Sequence, residues 1–171
     1  IHNNNSGNIS IISINNSGSG NGVYTANSFY WNPQLTTVGN YIFFVDNTLY
    51  RTDGTLSGTI SLNNGNITYP GGLMEFNGNC LFFNQNRLWK SDGSIPGTTL
   101  VTSFNLNNPY NLKRFGEHQK FNNFLYFSAK QDATGYELWR TDGTENGTTL
   151  VSDINSGTSS SSPQYLMVSG N

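Results

Sequence analysis

The stretch Leu138-Trp139-Arg140-Thr141-Asp142-Gly143-Thr144, followed by Gly147-Thr148, decides the fold because it occurs three times. The earlier copies are Leu49-Tyr50-Arg51-Thr52-Asp53-Gly54-Thr55 with Gly58-Thr59, and Leu88-Trp89-Lys90-Ser91-Asp92-Gly93-Ser94 with Gly97-Thr98. Each copy reads as the end of one strand, a tight turn and the start of the next strand. The leucine-aromatic pair has strand propensity. The aspartate can accept from backbone N–H groups two residues on, and the following glycine supplies a positive φ without steric cost. Asp53, Gly54, Asp92, Gly93, Asp142 and Gly143 are therefore read as structural turn residues, not as a catalytic or metal-binding set. The second Gly-Thr marks re-entry into an extended segment.

Working outward, the first two copies align without a gap at an offset of 39 residues, Asp53 to Asp92. Gly39-Asn40 meets Gly78-Asn79, and Ile42-Phe43-Phe44 meets Leu81-Phe82-Phe83. The third unit matches at Asn122-Asn123, Leu125-Tyr126-Phe127 and the turn, with six extra residues around Lys130 to Tyr136. Each unit holds four short strand candidates. They are Gln34–Val38, Tyr41–Val45, Thr48–Thr52 and Gly58–Leu62, then Leu73–Asn77, Cys80–Asn84, Arg87–Ser91 and Thr98–Ser103, then Leu112–Gly116, Phe124–Ala129, Tyr136–Thr141 and Thr148–Ile154. Hairpin-turn residues separate the first two strands of every unit. No segment has a helical period.

Tyr41-Ile42-Phe43-Phe44-Val45 is a near-continuous apolar run, which suits a strand covered on both faces. Four strands per unit, about 40 residues per unit and two-sided burial predict an all-β fold of the β-propeller type. A β-sandwich is the runner-up. The predicted layout is a single propeller segment over 1–171: a terminal strand at 7–14, a connection at 15–32, blades at about 33–69, 70–109 and 110–162, and the first strand of a further blade at 163–171. Gly7-Asn8-Ile9-Ser10-Ile11-Ile12 resembles the last strand of a unit, and Pro163-Gln164 onward resembles Pro33-Gln34 onward. The expectation is a partial propeller cut from a longer array, whose open edge strands invite association.

The bulk numbers fit this picture. The chain has 171 residues and a formal net charge of -2, with an isoelectric point near 5.5. That length suits one domain, and the charge argues against a nucleic-acid partner. No apolar run approaches the ~18 residues that span a membrane, so no membrane insertion is expected. The single cysteine, Cys80, rules out an internal disulfide and a cysteine zinc site. It falls inside a strand, where a buried, inert thiol is expected.

The run Glu137-Leu138-Trp139-Arg140-Thr141-Asp142-Gly143-Thr144-Glu145-Asn146-Gly147-Thr148-Thr149-Leu150-Val151-Ser152-Asp153-Ile154 resembles the ELWxxDGTxxGTxxVxDI repeat of large secreted and surface proteins of bacteria. The first two units depart from it: Tyr50 stands for the tryptophan, Ser94 for the threonine, and neither has the leading glutamate. The resemblance implies a β-propeller, an extracellular or cell-surface location, and a non-catalytic role within a larger exported protein. It also implies export by the type IX secretion route. The turn is similar to the Asp-box hairpin of sialidases, which is a structural feature and not a catalytic one.

Nothing in the residues makes a case for catalysis. Paired carboxylates for glycoside hydrolysis must face one substrate. Three of the ten acids are used by the turns, and the remainder near the third unit have no supporting motif. The two histidines, His2 and His118, form neither a triad nor a zinc site by spacing; His118 reads as part of a polar surface turn. No cofactor is implied. The expectation is a non-enzymatic adhesion or scaffolding module, with other domains of a parent protein or surface proteins as partners. The alternatives are a lectin-like propeller with a glycan partner, or an accessory fragment of a polysaccharide-processing enzyme. Trp31, Lys130, Asp132 and Tyr136 are the candidate ligand-facing residues, the last three because an insertion varies where function varies.

Overall fold

The computed structural model describes residues 35–104 and 118–169. These form three four-stranded antiparallel sheets. Sheet 1 is β1 (Thr36–Val38), β2 (Tyr41–Asp46), β3 (Thr48–Thr52) and β4 (Ile60–Ser61), and sheet 2 is β5 (Gly71–Phe76), β6 (Asn79–Asn84), β7 (Arg87–Ser91) and β8 (Thr99–Ser103). Sheet 3 is β9 (His118–Phe121), β10 (Phe124–Gln131), β11 (Gly135–Thr141) and β12 (Thr149–Ser152). Within each sheet the strands lie in chain order. There is no helix among the described residues, hence none long and apolar enough to cross a membrane.

Two-residue turns join the first two strands of each sheet, fixed by the pairs Val38↔Tyr41, Phe76↔Asn79 and Phe121↔Phe124. Gly39, Asn77, Gly78 and Asn122 take the positive φ such turns require. This corrects the third unit. Leu112–Gly116 lies outside the described residues, and the strand that pairs with β10 is His118–Phe121. The short Asn122-Asn123 turn compels it, because the partner of Phe124 must be the residue just before the turn. His118 is thus on a strand, not in a surface turn. The six extra residues are absorbed mainly by lengthening the β10–β11 hairpin, which pairs out to Gln131↔Gly135. At the other end, no strand is formed over 163–169 among the described residues, and the last two residues of the expected first strand at 163–171 lie outside them. The expected terminal strand at 7–14 and the connection at 15–32 lie outside the described residues.

The sheets stack face on face. Val38, Phe43, Leu49, Leu62, Ile67, Leu73, Cys80, Phe82 and Trp89 make the core between sheets 1 and 2. Met74, Phe76, Leu81, Phe83, Leu88, Val101, Phe104, Leu125, Phe127, Ala129 and Trp139 make the core between sheets 2 and 3. Phe104 follows β8 and stands edge-on to Trp139 at 5.2 Å and to Phe127 at 6.4 Å, a geometry worth about 0.5–1.5 kcal/mol per pair beyond area burial. Sheet 2 is therefore covered on both faces, and β6 shows it: every residue from Cys80 to Asn84 is buried.

Strand β2, expected to be the two-sided strand, is covered on one face only. Phe43 is fully buried while Ile42 is 42 % exposed. The reason lies in the stacking: among the described residues, sheet 1 has a neighbour on one side alone. The gapless alignment of the second strands also shifts by one residue. Ile42 lies opposite Thr52, Cys80 opposite Ser91 and Leu125 opposite Thr141, so Ile42 and Cys80 are the spatial equivalents. The connections differ: Asn47 alone separates the pair Asp46↔Thr48, whereas Gln85-Asn86 separates Asn84↔Arg87. A one-residue change in register sends every side chain to the opposite face.

Candidate functional site

The repeated turn is one hydrogen-bonded device built three times. Asp142 Oδ1 accepts from the Thr144 amide at 2.9 Å and from its hydroxyl at 2.6 Å. The Thr144 hydroxyl oxygen in turn accepts from the Gly147 amide at 3.0 Å. A second chain runs from the Gly143 amide to Thr141 Oγ1 at 2.9 Å, from Thr141 to Thr148 Oγ1 at 2.7 Å, and from Thr148 to the Thr144 carbonyl at 2.6 Å. The Thr148 proton is committed to that carbonyl, so Thr141 must be the donor between the two hydroxyls. Asp53 with Thr55, and Asp92 with Ser94, repeat the pattern. The Thr52–Thr59 and Ser91–Thr98 hydroxyl pairs, each 2.7 Å apart, complete it. Serine replaces threonine without loss because only the hydroxyl is used.

Each hydroxyl and amide donor holds its carboxylate below the ordinary aspartate value, the hydroxyl first and the backbone N–H second, for Asp53, Asp92 and Asp142 alike. The second glycine of the motif has a reason that spacing does not reveal. A β-carbon on Gly58, Gly97 or Gly147 would overlap the carboxylate of Asp53, Asp92 or Asp142.

The turns also lock neighbouring sheets together. Arg51 of sheet 1 donates from Nε to the Gly93 carbonyl at 2.9 Å. Lys90 of sheet 2 donates from Nζ to the Gly143 carbonyl at 3.1 Å. The rule is that the cation following the aromatic residue reaches the glycine carbonyl in the turn of the next sheet. Arg51 is held for this by stacking on Tyr41, 4.1 Å from the ring centre, and Gly93 seats against that same ring.

Arg140 is the third such cation, and it stacks on Phe124 at 4.5 Å as Arg51 does on Tyr41. Among the described residues it meets no carbonyl of another sheet; its one hydrogen bond is a long 3.5 Å contact with Thr149 Oγ1. Among the described residues no sheet covers the face that carries it. Along β10 and β11 burial alternates strictly: Leu125, Phe127, Ala129, Glu137, Trp139 and Thr141 are buried against sheet 2, while Phe124, Tyr126, Lys130, Tyr136, Leu138 and Arg140 are half-buried. Phe121 on β9 joins this outer face, 49 % exposed and 6.3 Å from the Tyr126 ring. The equivalent faces of sheets 1 and 2, around Phe43 and Leu49 and around Leu81 and Leu88, are sealed by the next sheet.

The structure brings two of the sequence-derived candidates together, with Tyr136 half-buried and packed against the core between sheets 2 and 3. Lys130 and Tyr136 are cross-strand partners, with the ammonium 5.9 Å from the ring centre. Asp132 lies in the hairpin turn beyond them, and Trp31 lies outside the described residues. Trp89 and Trp139 pack between sheets and are 5 % and 6 % exposed. Sequence reasoning missed Phe121, Phe124, Tyr126 and Arg140. The signal that could have found them is the apolar alternation of β10, read with the recurrence of the cation after the aromatic residue.

Other groups serve the fold. The Cys80 thiol is buried, and burial pushes its pKa up to about 12, so a reactive thiolate does not form there. Burial acts to raise the Glu137 carboxyl, but donors from Ser161, Ile154 and Asn155 outweigh it and hold the group below its ordinary value. Among the described residues no group of three or more His, Cys, Asp or Glu side chains is placed to hold a metal ion. No protein-family model and no curated protein matches the chain.

Proposed function

We propose that this chain is a non-catalytic protein-interaction module, a segment of β-propeller from an exported bacterial surface protein that acts in adhesion or scaffolding. The observation that carries the reading is the open outer face of sheet 3. Phe121, Phe124, Tyr126, Leu138 and Arg140 form an apolar and cationic surface there, whose counterparts in the other two sheets are sealed by a neighbouring sheet. Aromatic residues flanked by arginine, with few other charges, are the composition of a protein-binding surface. The propeller reading draws on three four-stranded sheets stacked face on face and on the turn that links each to the next.

A sugar-binding role has weaker support. The two tryptophans between sheets are buried and cannot stack on a glycan ring; of the two aromatic residues among the ligand-facing candidates, Tyr136 stands beside Lys130 and Trp31 lies outside the described residues.

The test is retention of cell-surface proteins by the immobilised chain, run beside the double variant Tyr126→Glu, Arg140→Glu. Retention by the parent and loss in a folded variant is the expected result. Equal retention by both removes the face from the reading. Hydrolysis of any member of a glycan panel by the purified chain overturns the non-catalytic role.

A further inference from the structure

We infer that the outer face of sheet 3 is built to receive the outer face of sheet 1 from a second copy of this chain, in a head-to-tail contact. The inference rests on the preceding reading of that face and names its partner.

The contact between consecutive sheets has two halves. One half is a socket: a cation stacked or packed beside an aromatic ring on the forward face. The other is a plug: the Ser/Thr-Asp-Gly turn, presented with a small apolar face behind it. Two sockets are filled. Arg51 and Tyr41 take the Gly93 turn, and Lys90 and Phe76 take the Gly143 turn, with a β-carbon on Gly143 only 3.9 Å from the Phe76 ring. Among the described residues one socket is empty, formed by Arg140 stacked on Phe124.

One plug is also unused among the described residues. The Gly54 turn has the same internal hydrogen bonds as the other two and the same positive φ, 92° against 93° for Gly93 and 88° for Gly143. Nothing lies within 4 Å of the place where a Gly54 β-carbon would stand. The surface behind it is the outer face of sheet 1: Ile42, with Phe44 and Tyr50 stacked at 5.4 Å. These are the spatial equivalents of Cys80, Phe82 and Trp89 in sheet 2, and of Leu125, Phe127 and Trp139 in sheet 3, all of them buried against the preceding sheet. The open socket and the open plug are therefore the two halves of the contact already made twice inside the chain. Such a contact is heterologous, so it adds copies in one direction and leaves a free face at each end until a ring closes.

The experiment uses the whole chain and two single variants, each at an exposed or half-buried position. Arg140→Glu sets a carboxylate against the Gly54 carbonyl and blocks the socket. Ile42→Glu charges the surface behind the plug. In sedimentation velocity, the parent is expected to gain mass with concentration beyond a dimer. Each variant alone, shown to be folded by its unfolding transition, is expected to associate at least about tenfold more weakly, as for loss of a hydrogen bond to a charged group. An equimolar mixture of the two is expected to form a dimer and stop, since each variant keeps one working face. Three results overturn the inference: a parent that stays monomeric, a single variant that still dimerises as the parent does, or a mixture that does not associate. If the face still governs retention of surface proteins in those cases, the interaction reading stands and only the partner is wrong.

Discussion

The Asp92 carboxylate occupies the space that a side chain at position 97 would need, so Gly97 and Asp92 are a matched pair. The aspartate folds back over the turn to meet the Ser94 hydroxyl and amide, and only a residue without a β-carbon leaves room for it. Gly97→Ala is expected to destabilise by about 1–3 kcal/mol, the usual cost of overpacking. Asp92→Ala should cost about 0.5–1.5 kcal/mol, the net worth of a hydrogen bond that water can replace. The double variant should cost clearly less than the two together, because removing the carboxylate removes the clash. Urea unfolding of the four proteins measures this coupling, and simple additivity would show that the glycine is present for another reason.

Arg51 and Arg140 sit at the same place in the repeat and differ in what they reach. Arg51→Ala breaks a hydrogen bond from a charged donor to Gly93 and a second, at 3.0 Å, to the Gly58 carbonyl. A loss of about 1–2 kcal/mol is expected, at the lower end for charged donors because the site is half-exposed. Arg140→Ala forfeits stacking on Phe124 and one long contact, so unfolding at low protein concentration should shift by about 0.5 kcal/mol or less. Equal losses at the two positions would mean that the inter-sheet carbonyl contributes nothing.

The three turn carboxylates set an acid limit. Each is held below its ordinary value by a hydroxyl and an amide donor. A depressed value in the folded state means that the unfolded chain binds the proton first. The stabilisation is thus complete above the unfolded aspartate value, about 3.9, and is lost as pH falls through the lower folded value. The urea midpoint should be insensitive to these groups between pH 5 and 8 on that scale, and should fall below about pH 4. Asp142→Asn keeps an acceptor and removes one titration. It should flatten the acid limb while lowering stability at neutral pH, and an unchanged limb would assign acid sensitivity to other groups.

The turn was legible in the sequence because its hydrogen bonds are local: Asp92, Gly93 and Ser94 find one another within a few residues. The strand order followed from the two-residue hairpins for the same reason. What could not be read was anything set by register or by a neighbour. The shift between Ile42 and Cys80 depends on whether one residue or two turn the corner after the second strand, and both loops have the same length in sequence. The apolar run Tyr41 to Val45 looks like a two-sided strand, yet Ile42 is exposed, and among the described residues no sheet covers it. The Arg51–Gly93 link spans 42 positions and joins residue types that give no hint of each other. The insertion at Lys130–Tyr136 was visible as length, but its absorption into the hairpin was not.

Cys80 gives a simple probe of the middle sheet. Its thiol is enclosed between sheets 1 and 2 and has a pKa raised to about 12. A thiol reagent such as an aromatic disulfide should leave the native chain unlabelled at pH 8 and label one equivalent in denaturant. The labelling rate at intermediate urea should follow opening of sheet 2. Rapid labelling of the native chain would contradict the packing of sheet 1 on sheet 2.

Glu137 is a fully buried carboxylate on the face of β11 turned toward sheet 2, and among the described residues no cation forms an ion pair with it. It is held instead by the connection that follows β12. Its oxygens accept from the Ile154 amide at 3.0 Å and the Ser161 amide at 2.8 Å, and the Ser161 hydroxyl donates as well. Ser162 adds a backbone bond to the Tyr136 carbonyl at 3.0 Å. The glutamate therefore ties down residues 154–162 after β12. The first two units, which lack it, tie the same connection with Thr48 to the Ile67 carbonyl at 3.1 Å and with Asn86 to the Phe104 carbonyl at 2.8 Å. Glu137→Ala leaves the two half-buried amides of Ile154 and Ser161 without this acceptor, at about 0.5–1.5 kcal/mol each. The variant should become sensitive to limited proteolysis between 154 and 162 and should lose global stability by a few kcal/mol at most. Glu137→Gln, which keeps one acceptor oxygen but turns an N–H₂ toward the donors, should fall between the two. Cleavage at the same rate in all three proteins would show that the connection is held by its backbone bonds alone.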